Sequence, residues 1–126
     1  MTNLLVLISA LIVVESSGND LARSGDCLGC LQTRPTVVAD VNRIYGTTYA
    51  MKDRLSRKYS IEICQRYLEY YCTEERLGRP VTLADAARIW NAGPDGRRKG
   101  RARQYWYKVR LVLSQQEEER LLAMEN

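Results

Sequence analysis

The stretch that most constrains this chain is an apolar run that ends on a single carboxylate. Between Leu4 and Val14 only Ser9 carries a polar side chain, and the run stops at Glu15, after which Ser16, Ser17, Gly18, Asn19 and Asp20 begin a polar loop. A helix that is apolar all round belongs in a core rather than on a surface. Glu15 then stands where core meets loop, and partial loss of water there disfavours its charged form and raises its pKa. Such a carboxyl group can hold a proton near neutral pH and deliver it as a general acid. If Glu15 is that acid, Glu15→Gln is expected to abolish activity while leaving stability within about 1 kcal/mol, as a surface change would; the bland alternative is a solvated helix end.

Composition narrows the chemistry. The chain has no histidine, so Ser-His and Cys-His catalysis and any imidazole metal site are excluded. Tyrosine is plentiful at eight residues while phenylalanine is absent, which gives much of the aromatic mass a polar tip suited to wet clefts. The formal net charge of +4 favours polyanionic partners without choosing among nucleic acid, anionic lipid and wall polymers. At 126 residues the chain fits one domain, 1–126, that buries roughly two-thirds of its unfolded surface.

Cys64 and Cys72 fall eight residues apart in a helical segment, about 12 Å along the axis, too far for a bridge. Cys27 and Cys30 have the spacing of a zinc or redox knuckle, yet no strand-helix redox context surrounds them, so free thiols and no cofactor are expected. No lysine or arginine precedes the apolar run, and a small-residue cleavage point near Ser16 to Gly18 would remove Glu15. The run is therefore read as the first core helix, with Thr2 as its cap, and not as a signal peptide. It is also shorter than the about 20 apolar residues of a membrane span.

Along the rest of the chain, Pro35 opens a helix to about Tyr45 with Val37, Val38, Val41 and Ile44 inward and Gly46 as its stop. A short helix over 50–55 follows, capped by Thr48. From Ser56 or Ser60 to Leu77 the spacing of Ile61, Cys64, Leu68, Tyr71 and Cys72 predicts a long helix closed by Gly78 and Pro80. Thr82 with Asp85 opens a helix to Trp90, and a tight turn over 93–96 follows. A basic run, Arg97, Arg98, Lys99, Arg101 and Arg103, precedes a helix from Tyr105 to Leu113. Ser114 with Glu117 reads as the cap of a separate last helix to about Met124. Any sheet is confined to a small ribbon near 22–32.

Three ordered elements and a late tyrosine resemble a known family. Glu15-Ser16-Ser17-Gly18-Asn19 is similar to the E-S-x-x-N signature of the soluble lytic transglycosylase domain, within the lysozyme-like superfamily. Gly29-Cys30-Leu31-Gln32 is similar to its G-L-M-Q element and Ile89-Trp90-Asn91-Ala92-Gly93-Pro94 to its A-Y-N-A-G-P element, while Tyr105 stands where the family has a tyrosine ahead of a final helix. The departures are a segment from Glu15 to Gln32 about one residue short, Cys30 for an aliphatic residue and Trp90 for a tyrosine, with milder changes at Ser17 and Thr33.

The resemblance implies a mainly α, lysozyme-like (α+β) fold of six to seven helices around a buried N-terminal helix. It implies an enzyme that cuts the β-1,4 bond between N-acetylmuramic acid and N-acetylglucosamine in peptidoglycan. Glu15 would be sole acid and base, and the product a 1,6-anhydro sugar. Ser24, Gln32, Trp90, Asn91 and Tyr105 would bind or orient the glycan; Trp90 could equally fill the core. Asp20, Asp26, Asp40 and Asp53 match no catalytic carboxylate of that family, with Asp26 the rival for a second catalytic role. The implied setting is a monomeric phage-type lysin or virion-associated wall enzyme, made without a leader and needing neither metal nor cofactor. Two other readings stay open: a hydrolysing lysozyme on the same substrate, and a non-catalytic basic module gripping glycan or nucleic acid through residues 97–103.

Overall fold

The computed structural model describes residues 4–96 and 98–125, so Thr2 and Arg97 lie outside the described residues. The described residues form six α-helices, a 3-10 helix and a two-stranded ribbon. Helix α1 (Leu4–Ser16) packs against α3 (Arg57–Tyr71), α5 (Leu83–Ala92) and α6 (Gly100–Met124). Its residues Leu7, Ile8, Ala10 and Leu11 are essentially inaccessible. The enclosure is incomplete, contrary to the expectation from an apolar run: Leu5, Val6 and Val13 stay exposed, Leu5 at 59%.

Strands β1 (Arg23–Ser24) and β2 (Cys27–Leu28) pair antiparallel inside the expected ribbon. Helix α2 (Pro35–Tyr45) starts and stops as read, on Pro35 and on a left-handed Gly46, and buries Val37, Val38 and Val41. The 3-10 helix Met51–Leu55 is not capped by Thr48; the Asp53 carboxylate instead accepts from the Ala50 N–H at 2.8 Å. Helix α3 opens on Ser56, whose hydroxyl accepts from the Tyr59 N–H. It ends at Tyr71 and not at Leu77, because Thr73 starts a separate turn, α4 (Glu74–Leu77), with its own side-chain cap on the Arg76 N–H and Gly78 as its left-handed stop. The buried face of α3 is carried by Ile63, Cys64, Tyr67 and Leu68, with Ile61 and Tyr71 at its margins.

Thr82 and Asp85 form the expected reciprocal cap of α5. Asp85 is also clamped by Arg79 at 2.6 and 2.7 Å; burial pushes its carboxyl up, but Arg79 and Thr82 outweigh that and hold it at about 2. The last two expected helices are one. Helix α6 runs unbroken through Ser114, and it begins at Gly100, inside the basic run. With no glycine or proline between Arg101 and Met124 nothing breaks the helix, and an exposed serine is tolerated within it.

The loop from Ser17 to Arg34 has little regular structure and is held by side chains. Arg54, only 6% exposed, donates to the carbonyls of Met51, Asp26 and Thr33 at 2.9, 2.7 and 2.9 Å. Ser16 Oγ donates to the Cys30 carbonyl at 2.7 Å, tying the end of α1 to the same loop. Gly29, at φ +86°, presses against the Arg54 carbonyl so closely that a Cβ would collide with it. Gly25, also left-handed at φ +60°, meets nothing. Gly29→Ala is therefore expected to cost at least about 3 kcal/mol, by strain and collision together, and Gly25→Ala only about 1 kcal/mol from strain. Urea melts of the two variants check this; equal losses would mean that Arg54 does not anchor the loop.

Candidate active site

Five of the six residues singled out in the sequence meet around one cleft of about 250 Å³: Glu15, Ser24, Gln32, Trp90 and Asn91 line it together with Cys27 and Arg34. The sixth, Tyr105, lies behind it at 8% exposure and donates its hydroxyl proton to Glu15 Oε2 at 2.8 Å. Each element contributes through local chemistry. The last turn of α1 presents Glu15, the ribbon presents Ser24 and Cys27, and the close of α5 presents Trp90 and Asn91. Gln32 adopts a left-handed backbone at φ +49° and donates its amide to the Gly29 carbonyl at 3.0 Å. A larger hollow of about 620 Å³, between the start of α1 and residues 65–81, holds none of these groups. Volume alone does not locate the chemistry.

Burial dominates the state of Glu15. Its carboxyl is pushed up from 4.5 to about 7, although the Tyr105 hydroxyl and the Arg34 charge both favour the ionised form. Tyr105 is pushed well above its ordinary value in turn, by burial and by the neighbouring carboxylate. Glu15 is the only acidic group among the described residues that lines the cleft. The rival carboxylates are engaged elsewhere: Asp20 with Arg57, Asp40 with Arg43 and Tyr71, and Asp53 with the Ala50 N–H. Asp26 is exposed and outside the cleft lining, while its backbone carbonyl is held by Arg54.

Asn91 supplies the complementary feature. Its side-chain oxygen is buried and has no hydrogen-bond partner among the described residues, a state that costs about 1–3 kcal/mol until a donor arrives. Trp90, at 4% exposure, sets its ring perpendicular to Tyr67 and donates its indole N–H to the Leu31 carbonyl at 3.2 Å, so it shapes the wall and offers no free stacking face.

Sequence reasoning missed Arg34 as a cleft residue. The available signal was its place just before Pro35, at a helix cap where serine, threonine, aspartate or asparagine usually stands. Cys27 lines the cleft and Cys30 is buried; all four cysteines are free thiols. Among the described residues no group of three or more side chains is placed to hold a metal ion, and no helix is long and apolar enough to cross a membrane. Comparison with protein-family models and with curated proteins finds no match.

The raised carboxyl makes Glu15 a cost to the fold above neutrality, so Glu15→Gln acts as more than the surface-like change expected from the sequence. The contribution of Glu15 to stability is fully present below about pH 4.5 and is lost as pH rises to about 7, where the buried group must ionise. Glu15→Gln, which keeps an acceptor for Tyr105, is expected to be more stable than wild type by on the order of 2 kcal/mol at pH 8, with the gap closing toward pH 4.5. Denaturant melts at the two pH values test this, and a variant no more stable at pH 8 than at pH 4.5 relative to wild type contradicts it.

Proposed function

We propose that this chain is a peptidoglycan-cleaving enzyme of lysozyme-like fold that acts as a lytic transglycosylase on the β-1,4 bond between N-acetylmuramic acid and N-acetylglucosamine. The observation that carries the reading is a single largely buried carboxyl group, protonated up to about pH 7, in a cleft whose other walls include Ser24, Gln32 and Asn91, the residue types of the resembled family. Glu15 gives its proton to the bridging oxygen as the bond to the anomeric carbon breaks, and the departing sugar leaves with a free hydroxyl. The Glu15 carboxylate, steadied by the Tyr105 hydroxyl at 2.8 Å, then takes the proton of the 6-hydroxyl of the same muramic acid residue as that oxygen attacks the anomeric carbon. The 1,6-anhydro ring closes, the acid is regenerated, and no water is consumed.

Hydrolysis by two carboxylates asks for a partner roughly 5–5.5 Å from the acid in the retaining geometry or 6.5–9.5 Å in the inverting one. The absence of a second acidic group from the cleft lining, among the described residues, favours the single-residue route. The orphan acceptor on Asn91 suits the N–H of an N-acetyl group. A phage-type lysin or virion-associated wall enzyme is the setting this reading implies.

Mass spectrometry of the sugars released from purified peptidoglycan tests it. Anhydro ends, lighter by one water than reducing ends, are expected, and Glu15→Gln should release nothing. Because the acid must be protonated, the rate should fall as pH rises through about 7. Reducing ends alone would show water as the nucleophile, and binding without release would favour a non-catalytic module.

A further inference from the structure

The outer face of α6 is its own complement when read backwards. Ala102, Tyr105 and Val109 turn into the core, and the side facing water carries Arg103, Tyr107, Arg110, Ser114, Glu118, Leu121 and Glu125, all exposed. Their spacings of four, three, four, four, three and four residues keep them on one strip of a nearly straight helix. Glu125 follows the last residue of α6 and is itself in helical conformation. Turned end for end about Ser114, the strip sets Arg103 opposite Glu125, Tyr107 opposite Leu121 and Arg110 opposite Glu118. Tyr107 is 61% exposed and Leu121 54%.

Among the described residues none of Arg103, Arg110, Glu118 and Glu125 has an ion-pair partner in its own chain. None has an opposite charge three or four residues away along the helix, where such a pair would form; Arg110 lies over the Tyr107 ring at 5.6 Å. The order of charges also opposes the helix dipole, which favours acids at the start and bases at the end. Arg101, Arg103, Lys108 and Arg110 occupy the first half of α6, and Glu117, Glu118 and Glu119 the second, whose one base, Arg120, is held by Glu117. A helix standing alone in water gains nothing from that order. An antiparallel neighbour of the same sequence brings an acid to each base of the strip and sets the two dipoles against each other.

We propose that the outer strip of α6 is a self-association surface, on which two copies of the chain pair antiparallel about a twofold axis through Ser114. Each pairing then occurs twice, as a twofold interface requires, and the small serine at the axis lets the helices approach. Leu111, 61% exposed, flanks the strip, while Leu5 and Val6 of α1 meet α6 at Glu117 and widen its apolar border. From Arg103 to Glu125 the strip is about 33 Å long. Two such faces cover on the order of 1,000 Å², at the low end of specific interfaces, so the dimer is weak, reversible and matched by charge. A polyanion would engage only the basic half and leave Glu118, Leu121 and Glu125 unanswered. The resemblance implies a monomer; this surface is independent of that family and of the chemistry at Glu15.

Sedimentation equilibrium of the full chain, from about 5 to about 500 μM, tests it. Wild type is expected to dimerise within that range at low salt, and more weakly at about 1 M NaCl, where exposed pairs are screened. Arg110→Glu and Glu118→Arg should each raise the Kd about tenfold or more, because each sets two like-charge pairs across the axis. Mixed in equal amounts, the two variants should associate with each other at close to wild-type strength, since every mixed pair is again of opposite sign; the double variant should recover in the same way. Recovery on mixing shows that both variants are folded and that the register is the one described. A wild type that stays monomeric to the top of the range, a dimer that neither reversal weakens, or a mixture that recovers nothing would overturn the proposal.

Discussion

The hydrogen bond from Tyr105 to Glu15 joins the last turn of the first helix to the first part of the last one, across 90 residues of sequence. Its surroundings decide its meaning. In water a glutamate near a tyrosine is an ordinary carboxylate; here the walls supplied by α1, α5 and α6 remove enough water that the proton stays on to about pH 7. The hydroxyl pulls the other way, since it stabilises the anion. The pair therefore suits a group that must be an acid before bond cleavage and a base after it: desolvation keeps the resting proton, and Tyr105 is already in place for the anion once the proton has gone.

That arrangement requires a loop that does not drift. Residues 17–34 have few ladder hydrogen bonds of their own, and their order comes from a buried cation that spends its donors on backbone carbonyls. Arg54 reaches the Met51, Asp26 and Thr33 carbonyls, while its own carbonyl accepts from Ser60 Oγ at 2.8 Å and leaves room at Gly29 only for a hydrogen. A buried guanidinium matched to carbonyls alone carries a desolvation penalty, which the hydrogen bonds offset. The result is a rigid wall for Ser24, Cys27 and Gln32, built without a sheet of any size.

What could be read from the sequence was whatever is decided locally. Pro35 and Gly46 bracket α2, and Thr82 with Asp85 caps α5, because these residues act on their immediate neighbours. The candidate site was legible for a different reason: its residues occur in an order that resembles a family, and the fold brings Glu15, Ser24, Gln32, Trp90 and Asn91 to one cleft. The failures come where local signals conflict with context. Ser114 and Glu117 satisfy the pattern of a helix start yet lie inside α6, since nothing before them ends the helix. Thr73 gave too weak a signal to show that α3 stops at Tyr71. The burial of Arg54 and the bond from Arg34 to the Trp90 carbonyl depend on partners 21 to 56 residues away, which no local pattern specifies.

The proposed chemistry depends on the protonation state of one group, and that state can be measured directly. Carbon-detected NMR of the Glu15 side-chain carboxyl, assigned by its loss in Glu15→Gln, follows its titration in the intact wild-type protein without substrate. A midpoint near 7, moving to higher pH in Tyr105→Phe as the hydroxyl that favours the anion is removed, is the result this account predicts. A midpoint at the ordinary glutamate value of about 4.3, unmoved by that substitution, would contradict it, because Glu15 would then hold no proton to give at neutral pH.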